Sequence, residues 1–186
     1  MLIHPIRVAR SDSTPWHQRI ASSATVPVVA DEADIAQHEL PVWRANYLLQ
    51  ADLAEHGLPG RYEQLWARDL GDGHYELCSL PFFTYGYALG DIVRLRKAAG
   101  QFDHVLGSVI RPSDRSLLRV AFVHRDRHEE LHGPLADSGR PHEWRSGGFV
   151  AIDIEGDVPA DLWASIDALA SAGHVEWEWG RAPTPR

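Results

Sequence analysis

The sequence predicts an α+β fold, in which a small, SH3-like curved β-sheet or barrel is followed by a ferredoxin-like layer of the split β-α-β type. Between residues 42 and 112, short strand-like runs alternate with turn residues, a pattern typical of small barrels. From residue 113 onward the pattern changes to strand, helix, strand, helix, strand, which indicates a split β-α-β layer. The predicted organisation is an N-terminal extension (1–41), a β-rich SH3-like subdomain (42–112), a ferredoxin-like α+β subdomain (113–180) and a loose tail (181–186).

The β-rich half is predicted to contain five strands. Gly71-Asp72-Gly73 is typical of a hairpin turn because an Asp-Gly pair tolerates positive φ, so the runs on either side of it are expected to pair. The run after the turn alternates and places Tyr75, Leu77 and Ser79 on one face. The predicted strands are Tyr47–Leu53, Tyr62–Leu70, His74–Leu80, Asp91–Leu95 and Phe102–Ile110.

The second half contains the best specified element, a helix over Pro159–Ala172. The helix begins with a proline, which suits a first helical turn, and Gly173 follows its last residue and stops it. Leu162, Ile166 and Leu169 recur at helical spacing and form the predicted buried stripe. The other elements predicted here are the helix Asp126–His132 and the strands Leu117–Val123, Gly148–Ile154 and Val175–Trp179, with Glu143–Arg145 as a candidate for the strand that the pattern lacks.

The composition limits the classes of function. The chain has 186 residues, a formal net charge of -8, a pI near 5.7 and no stripe of Lys or Arg, so we expect a basic protein surface as partner and no nucleic acid. The single cysteine, Cys78, is expected to be a buried, inert thiol. Because no signal-peptide core and no apolar run of membrane length is present, the sequence predicts a cytoplasmic protein without membrane contact. It implies no cofactor and leaves the oligomeric state open.

The H-E-E-L-H stretch at residues 128–132 has the spacing of a zinc metallohydrolase motif. Such a site needs a helix that continues past both histidines, but Gly133-Pro134 is expected to end the helix at the second one. The same letters fit a capping box, with Asp126 as the cap and the glutamate three residues later reaching back. We therefore expect no biological metal site, and His128 and His132 are candidates only for adventitious nickel or zinc binding.

The block from Gln64 to Val93 carries the most specific pattern of the chain. It contains L-W-A, then G-D-G-x-Y-x-L, then P-F-F-x-x-G-x-A-x-G-D-x-V. These motifs resemble a bacterial family that is a domain of unknown function, and S-x-x-S-x-x-R at 113–119 is similar to that family's entry into its second half. The resemblance covers about residues 42–180 and implies an architecture and a bacterial source, but no activity and no catalytic residue. The positions in register are Trp66, Gly73, Tyr75, Pro81, Phe82, Phe83, Gly86, Gly90 and Asp91.

The aromatic residues that follow Pro81 suggest a recognition surface. Two consecutive residues of an extended segment point to opposite faces, so at most one of Phe82 and Phe83 is expected in the core. Aromatic side chains beside an arginine are typical of recognition surfaces. The last predicted strand adds an acidic face, opposite the face that carries Trp177 and Trp179. The predicted partner-binding residues are Phe83, Tyr85, Tyr87, Asp91, Arg119, Glu176 and Glu178.

The sequence leaves three functions open. It contains no G-x-S-x-G nucleophile elbow and no Gly-rich phosphate loop, which disfavours an enzyme. The favoured hypothesis is a non-enzymatic binding protein, most concretely an immunity-type antidote that masks a basic toxin domain or another protein partner. The alternatives are a small-molecule sensor domain and a zinc-dependent hydrolase that uses the H-E-E-L-H stretch.

Overall fold

The computed structural model describes residues 35–98, 102–146 and 148–184. All of these residues belong to one compact unit. They form a mixed α/β structure with two α-helices and mostly antiparallel strands in two sheets. The predicted N-terminal extension lies outside the described residues up to residue 34.

The first sheet is built by the β-rich half of the chain. Its strands are β1 (Ile35–Ala36), β2 (Tyr47–Asp52), β3 (Tyr62–Gly71), β4 (His74–Leu77), β5 (Ile92–Lys97) and β6 (His104–Arg111). They pair in the order β1-β3-β4-β5-β6, and β2 also pairs with β3. Every pair is antiparallel except β1 with β3. Because β2 and β6 also contact each other, the sheet curves strongly around its own core.

Turn chemistry and alternation explain this sheet. The hairpin between β3 and β4 forms at the predicted turn, with φ of 51° at Asp72 and 72° at Gly73. All five strands predicted for residues 42–112 are present, although their ends differ by a few residues. Along β3, Leu65 and Ala67 point into the core, and Glu63 lies in the same phase and is equally buried. A carboxylate therefore occupies a core position of this strand.

The second sheet combines four strands with both helices. Its elements are β7 (Arg115–Phe122), α1 (Glu129–Ser138), β8 (His142–Arg145), β9 (Phe149–Glu155), α2 (Ala160–Ser171) and β10 (Val175–Arg181). The strands are antiparallel in the order β10-β7-β9-β8, so β8 supplies the strand for which the sequence offered a candidate. The predicted stripe of α2 is buried against one face of this sheet. Residues 81–84 contact the opposite face, and β7 and β9 are consequently buried on both faces.

The helix α1 corrects the prediction that Gly133-Pro134 ends it at His132. The helix continues through Pro134 for another turn. A proline inside a helix removes one hydrogen bond, at a typical cost of about 3 kcal/mol. Gly133 has no Cβ to collide with the proline ring, and Leu131 and Leu135 are fully buried in the core between the helices and the sheet. Tertiary packing therefore outweighs the local preference.

Two further predictions differ from the structure at the ends of elements. Asp126 lies in a 3-10 turn (Arg125–Arg127), and no side chain makes a capping hydrogen bond to α1, so the predicted capping box is wrong. Arg181 is not part of a loose tail, because it is the last residue of β10 and donates hydrogen bonds to the Asp91 carboxylate and the Ser113 carbonyl.

Candidate functional site: a buried ion cluster beside a cleft

The aromatic segment, residues 81–90, runs between β4 and β5 and packs against the second sheet. Its first residues are held by Glu63, whose carboxylate is fully buried. This carboxylate accepts hydrogen bonds from the backbone N–H of Phe82, of Phe83 at 3.2 Å and of Thr84 at 2.9 Å, and from the Thr84 hydroxyl at 2.6 Å. A charged acceptor inside the core thus fixes three consecutive backbone amides.

His38 connects Glu63 to a second carboxylate. Its Nε2 lies 3.1 Å from Oε1 of Glu63, and its Nδ1 lies 2.5 Å from Oε2 of Glu143, a residue of β8. The other oxygen of Glu143 accepts the backbone N–H of Leu80 at 2.6 Å. The ring of Phe82 stacks on the imidazole with 4.3 Å between centroids and 5° between planes. The cluster of His38, Glu63 and Glu143 therefore joins the stretch between β1 and β2 to both sheets.

The two carboxylates keep His38 charged. Burial alone would lower the pKa of His38, but its hydrogen bonds to Glu143 and Glu63 and the charges of both outweigh burial and raise that pKa to about 9. Burial would likewise raise the pKa of Glu63, but the hydrogen bond and charge of His38, with help from Thr84 and Arg119, lower it to about 2. At neutral pH the cluster is an ionised imidazolium between carboxylates.

Arg119 holds the same segment from the second sheet. This fully buried residue of β7 donates from Nε to the Pro81 carbonyl at 3.1 Å and from its terminal nitrogen to the Thr84 carbonyl. Its guanidinium lies 4.5 Å from the centroid of the Tyr85 ring and 3.5 Å from Glu178. Glu63 thus binds the N–H groups of the segment, and Arg119 binds its carbonyl groups.

Asp91 fixes the far end of the aromatic segment. Its buried carboxylate accepts the backbone N–H of Ala88 at 3.0 Å and that of Ser113 at 2.7 Å, and it pairs with Arg181. Gly90 has a φ of 80°, and a Cβ there would lie 3.0 Å from the Trp43 ring. The Asp91 carboxylate therefore caps the turn that leads into β5.

The structure brings the predicted partner-binding residues together only in part. Phe83, Tyr85, Tyr87 and Glu178 are partly exposed, and Glu176 is exposed. The Tyr85 hydroxyl donates to Glu178 at 2.5 Å, and the Tyr87 hydroxyl donates to the Gly107 carbonyl. Asp91 and Arg119 are fully buried, so they act on the aromatic segment from within and do not offer a surface to a partner.

Only one of Phe82 and Phe83 lies in the core, as predicted. Phe82 is buried, whereas Phe83 is partly exposed and stacks on Phe149 at 6.2 Å between centroids, with the guanidinium of Arg145 at 4.7 Å from its ring. On β10, Trp177 and Trp179 pack against the core beside the helices, opposite the two glutamates of that strand.

Sequence reasoning did not identify the ion cluster. His38 lies in the segment assigned to an extension, and Glu143 was not predicted to form a buried ion pair. One signal was available for Glu63, because it shares the phase of Leu65 and Ala67 at the buried end of β3. A charged residue in phase with core positions indicates an internal ion pair.

A cleft of about 410 Å³ lies beside the cluster. It is lined by residues 37–42, by Phe82 and by residues 142–146. Leu40, which is 76% exposed, belongs to the lining of this cleft. The Glu143 side chain, which is 11% exposed, adds a carboxylate to the lining. The cleft therefore combines apolar side chains with ionised ones.

The sequence motif for zinc lies elsewhere. The rings of His128 and His132 are 5.2 Å apart, and both contact Trp144, with His128 Nδ1 lying 2.7 Å from the Arg125 carbonyl oxygen. Within residues 35–98, 102–146 and 148–184, no group of three or more His, Cys, Asp or Glu residues could hold a metal ion. Cys78 is buried, and burial raises the pKa of its thiol to about 11.

Comparison with known proteins identifies the family. The model of the family described as Domain of unknown function (DUF4265) matches residues 63–177, from β3 to β10. The chain belongs to the DUF4265 family. The match contains Glu63, Arg119 and Glu143, and begins after His38. The resemblance that the sequence motifs indicated is therefore confirmed.

A solved structure has the same kind of fold. A novel crystal structure of a hypothetical protein from Neisseria gonorrhoeae aligns with a TM-score of 0.54 at 14% identity, over 67% of this chain and 86% of that one. At this identity the similarity concerns the fold alone. None of the curated proteins matches the chain. Among the described residues, no helix is long and apolar enough to cross a membrane.

Proposed function

We propose that this DUF4265 protein is a non-enzymatic binding protein, most concretely an immunity-type antidote that masks a bacterial toxin or another protein partner. The observation that carries the proposal is that buried charged side chains hold the backbone of the aromatic segment in place. Glu63, Arg119 and Asp91 direct their hydrogen bonds to the backbone of the aromatic segment, from its first residue to its last turn. This arrangement fixes the shape of the surface that the aromatic segment forms. The buried charged groups themselves are bonded to partners inside the protein.

A preformed segment suits recognition. A backbone that is already fixed loses little conformational freedom on binding, so more of the contact energy appears as affinity. Phe83 and Tyr85 stand partly exposed on this backbone, and arginine and aromatic side chains are enriched where interfaces derive most of their energy. Burial and the hydrogen bond to Glu178 raise the pKa of Tyr85, which keeps its hydroxyl protonated.

The charge of the protein favours a basic partner. The formal net charge is -8, and Glu176 and Glu178 lie on the face of β10 turned away from the helices. Opposite charge accelerates encounter, and the acceleration falls as salt rises. A basic toxin domain fits this electrostatic preference.

The finer architecture belongs to the same proposal. The order β10-β7-β9-β8, with a helix after β7 and another after β9, supports a ferredoxin-like layer of the split β-α-β type. The contact between β2 and β6 supports an SH3-like barrel for the first sheet. The predicted cytoplasmic location also belongs to the proposal, and the single unpaired cysteine supports it.

The experiment captures the partner from the host bacterium with the full chain and then measures association rates at several salt concentrations. Glu176→Lys reverses one exposed charge on the acidic face of β10, and Asp137→Lys makes the same change at an exposed position on α1. We expect Glu176→Lys to slow association by roughly two- to tenfold at low salt and Asp137→Lys to change it by less than about twofold. Capture of no protein partner, or equal effects of both variants, would contradict the proposal.

The cleft favours a second candidate, the small-molecule sensor. Its volume of about 410 Å³ lies within the range of ligand pockets, which is about 300–1,000 Å³. A thermal-shift screen against metabolites tests it, because a ligand present at about a hundred times its Kd stabilises the fold by about 2.7 kcal/mol. The zinc-hydrolase alternative stays a prediction that metal analysis of untagged protein would check.

A further inference from the structure

Strand β8 lies at the edge of the second sheet. It pairs with β9 along one side, and among the described residues no strand pairs with its other side. The Asp153 N–H donates to the Pro141 carbonyl at 2.9 Å, which makes the pair of His142 and Ile152 a non-hydrogen-bonded one. Because the pattern alternates, the N–H and carbonyl groups of His142 and Trp144 point away from β9.

The cleft runs along this edge. Successive side chains of a strand point to opposite faces, so a cavity lined by five consecutive residues, 142–146, must follow the backbone edge rather than one face. Residues 37–42 form the facing wall. The cleft is thus a slot whose one side presents backbone donors and acceptors in the spacing of a strand.

We propose that an extended segment of a second, different protein adds to the edge of β8 in this cleft. The inference rests on the proposed binding function and specifies how the partner is held. Backbone pairing with β8 provides affinity, and alternate side chains of the segment enter the cleft. The segment must be short, because Pro141 precedes the strand and the turn at Ser146 follows it.

The lining specifies the chemistry of the segment. Leu40, Pro41 and Trp144 offer apolar contacts, and Leu40 is 76% exposed while nothing in the described residues covers it. Glu39 is exposed at the same wall, and charged His38 lies between the carboxylates of Glu63 and Glu143. Arg145 adds a second cation to the lining, so in and directly behind the lining the three carboxylates outnumber the two cations, and the whole chain is acidic. A segment with apolar residues at every second position and flanking Lys or Arg therefore complements the slot.

The test pans a phage-displayed library of random short peptides against the full chain. Synthetic versions of the enriched peptides are then methylated at one backbone nitrogen at a time. We expect methylation at alternate positions to weaken binding at least about tenfold, and methylation between them to change it by less than about threefold, because only every second peptide N–H faces β8. Peptide binding is also expected to slow hydrogen exchange at the His142 and Trp144 amides.

A matched pair of variants locates the site. Leu40→Ser removes an apolar contact of the cleft, and Val123→Ser makes the same kind of change at a residue that is 57% exposed and outside the cleft. We expect Leu40→Ser to weaken peptide binding by roughly five- to tenfold and Val123→Ser to leave it within about twofold.

Several results would overturn this proposal. The proposal is wrong if no peptides are enriched, if the methylated series shows no alternation, or if the two variants have equal effects. It is also wrong if the His142 and Trp144 amides of the chain alone become protected as its concentration rises, because the edge would then bind a second copy. If the captured native partner binds Leu40→Ser as tightly as the unchanged protein, strand addition is wrong while the binding function stands. If no partner is captured but peptides bind β8, the function proposed above fails instead.

Discussion

Replacing Glu63 with glutamine tests whether the buried ion cluster holds the two sheets and the aromatic segment together. The substitution keeps the size of the side chain but turns one carboxylate oxygen into an NH2 group, which cannot accept a backbone N–H. Depending on which oxygen is replaced, either the Phe82 amide or the Phe83 and Thr84 amides lose their acceptor. The charged His38 keeps Glu143 as its remaining bonded carboxylate.

The structure sets the size of the effect. A pKa lowered from 4.5 to about 2 for Glu63 corresponds to about 3 kcal/mol of stability at neutral pH. The pKa of His38, raised from 6.5 to about 9, reflects the same ion pair and is not added. Removing one partner of a buried pair typically costs about 3–5 kcal/mol. We therefore expect Glu63→Gln to lower the free energy of unfolding by about 3 kcal/mol and the Tm by roughly 6–12 °C.

The same shifts predict how stability depends on pH. The pKa of His38 is raised on folding, so its contribution is complete below pH 6.5 and is lost as the pH rises toward about 9. The pKa of Glu63 is lowered, so its contribution is complete above pH 4.5 and is lost as the pH falls toward about 2. Glu63→Gln should remove the decline on the acid side and reduce the decline on the alkaline side, where Glu143 still acts.

Urea unfolding followed by tryptophan fluorescence, at a series of pH values, measures these changes, since the chain has seven tryptophans. Glu55→Gln is the matched control, because the Glu55 side chain is 77% exposed and pairs with Arg96 at 3.4 Å. We expect the control to cost less than about 0.5 kcal/mol. A loss below about 1 kcal/mol for Glu63→Gln, or parallel pH profiles of variant and wild type between pH 6.5 and 9, would refute the reasoning.

Three further predictions follow from packing and burial. Gly180→Ala should destabilise by roughly 1–3 kcal/mol in urea unfolding, because its Cβ would lie 2.6 Å from the Nε of the buried Arg119; no loss would mean that this arginine can move aside. Pro134→Ala should stabilise by about 1–3 kcal/mol, because it restores a hydrogen bond inside α1, and a loss of stability would contradict the account of that helix. Iodoacetamide should modify Cys78 far more slowly in the native protein than in urea, because burial raises the thiol pKa to about 11, and equal rates would show that the thiol is accessible.

Local patterns predicted much of the fold. The hairpin at Asp72-Gly73, the strand runs on either side and the buried stripe of α2 all depend on neighbouring residues, so their signals lie within short windows of sequence. The same windows failed at Pro134, where the local penalty of proline is real but smaller than the burial of Leu131 and Leu135. A short stretch of sequence around the proline gives no information about the sheet on which that helix packs.

The candidate site was less accessible to such patterns. The aromatic segment was identified, but Arg119 and Asp91 were assigned to a surface and are instead buried supports. A buried, paired ion and an exposed one have the same letter in the sequence, and only their surroundings distinguish them.

The local secondary structure, the family and the acidity of the chain were therefore determined by the sequence alone, because each depends on residue identity and on close spacing. The cluster of His38, Glu63 and Glu143 was decided by tertiary structure. Its bonded atoms belong to residues 25 and 105 positions apart, and its ionisation depends on burial that only the packed sheets create. The position of β8 at the edge of the second sheet, with no further strand pairing among the described residues, is likewise a property of strand order and becomes defined when that sheet is complete.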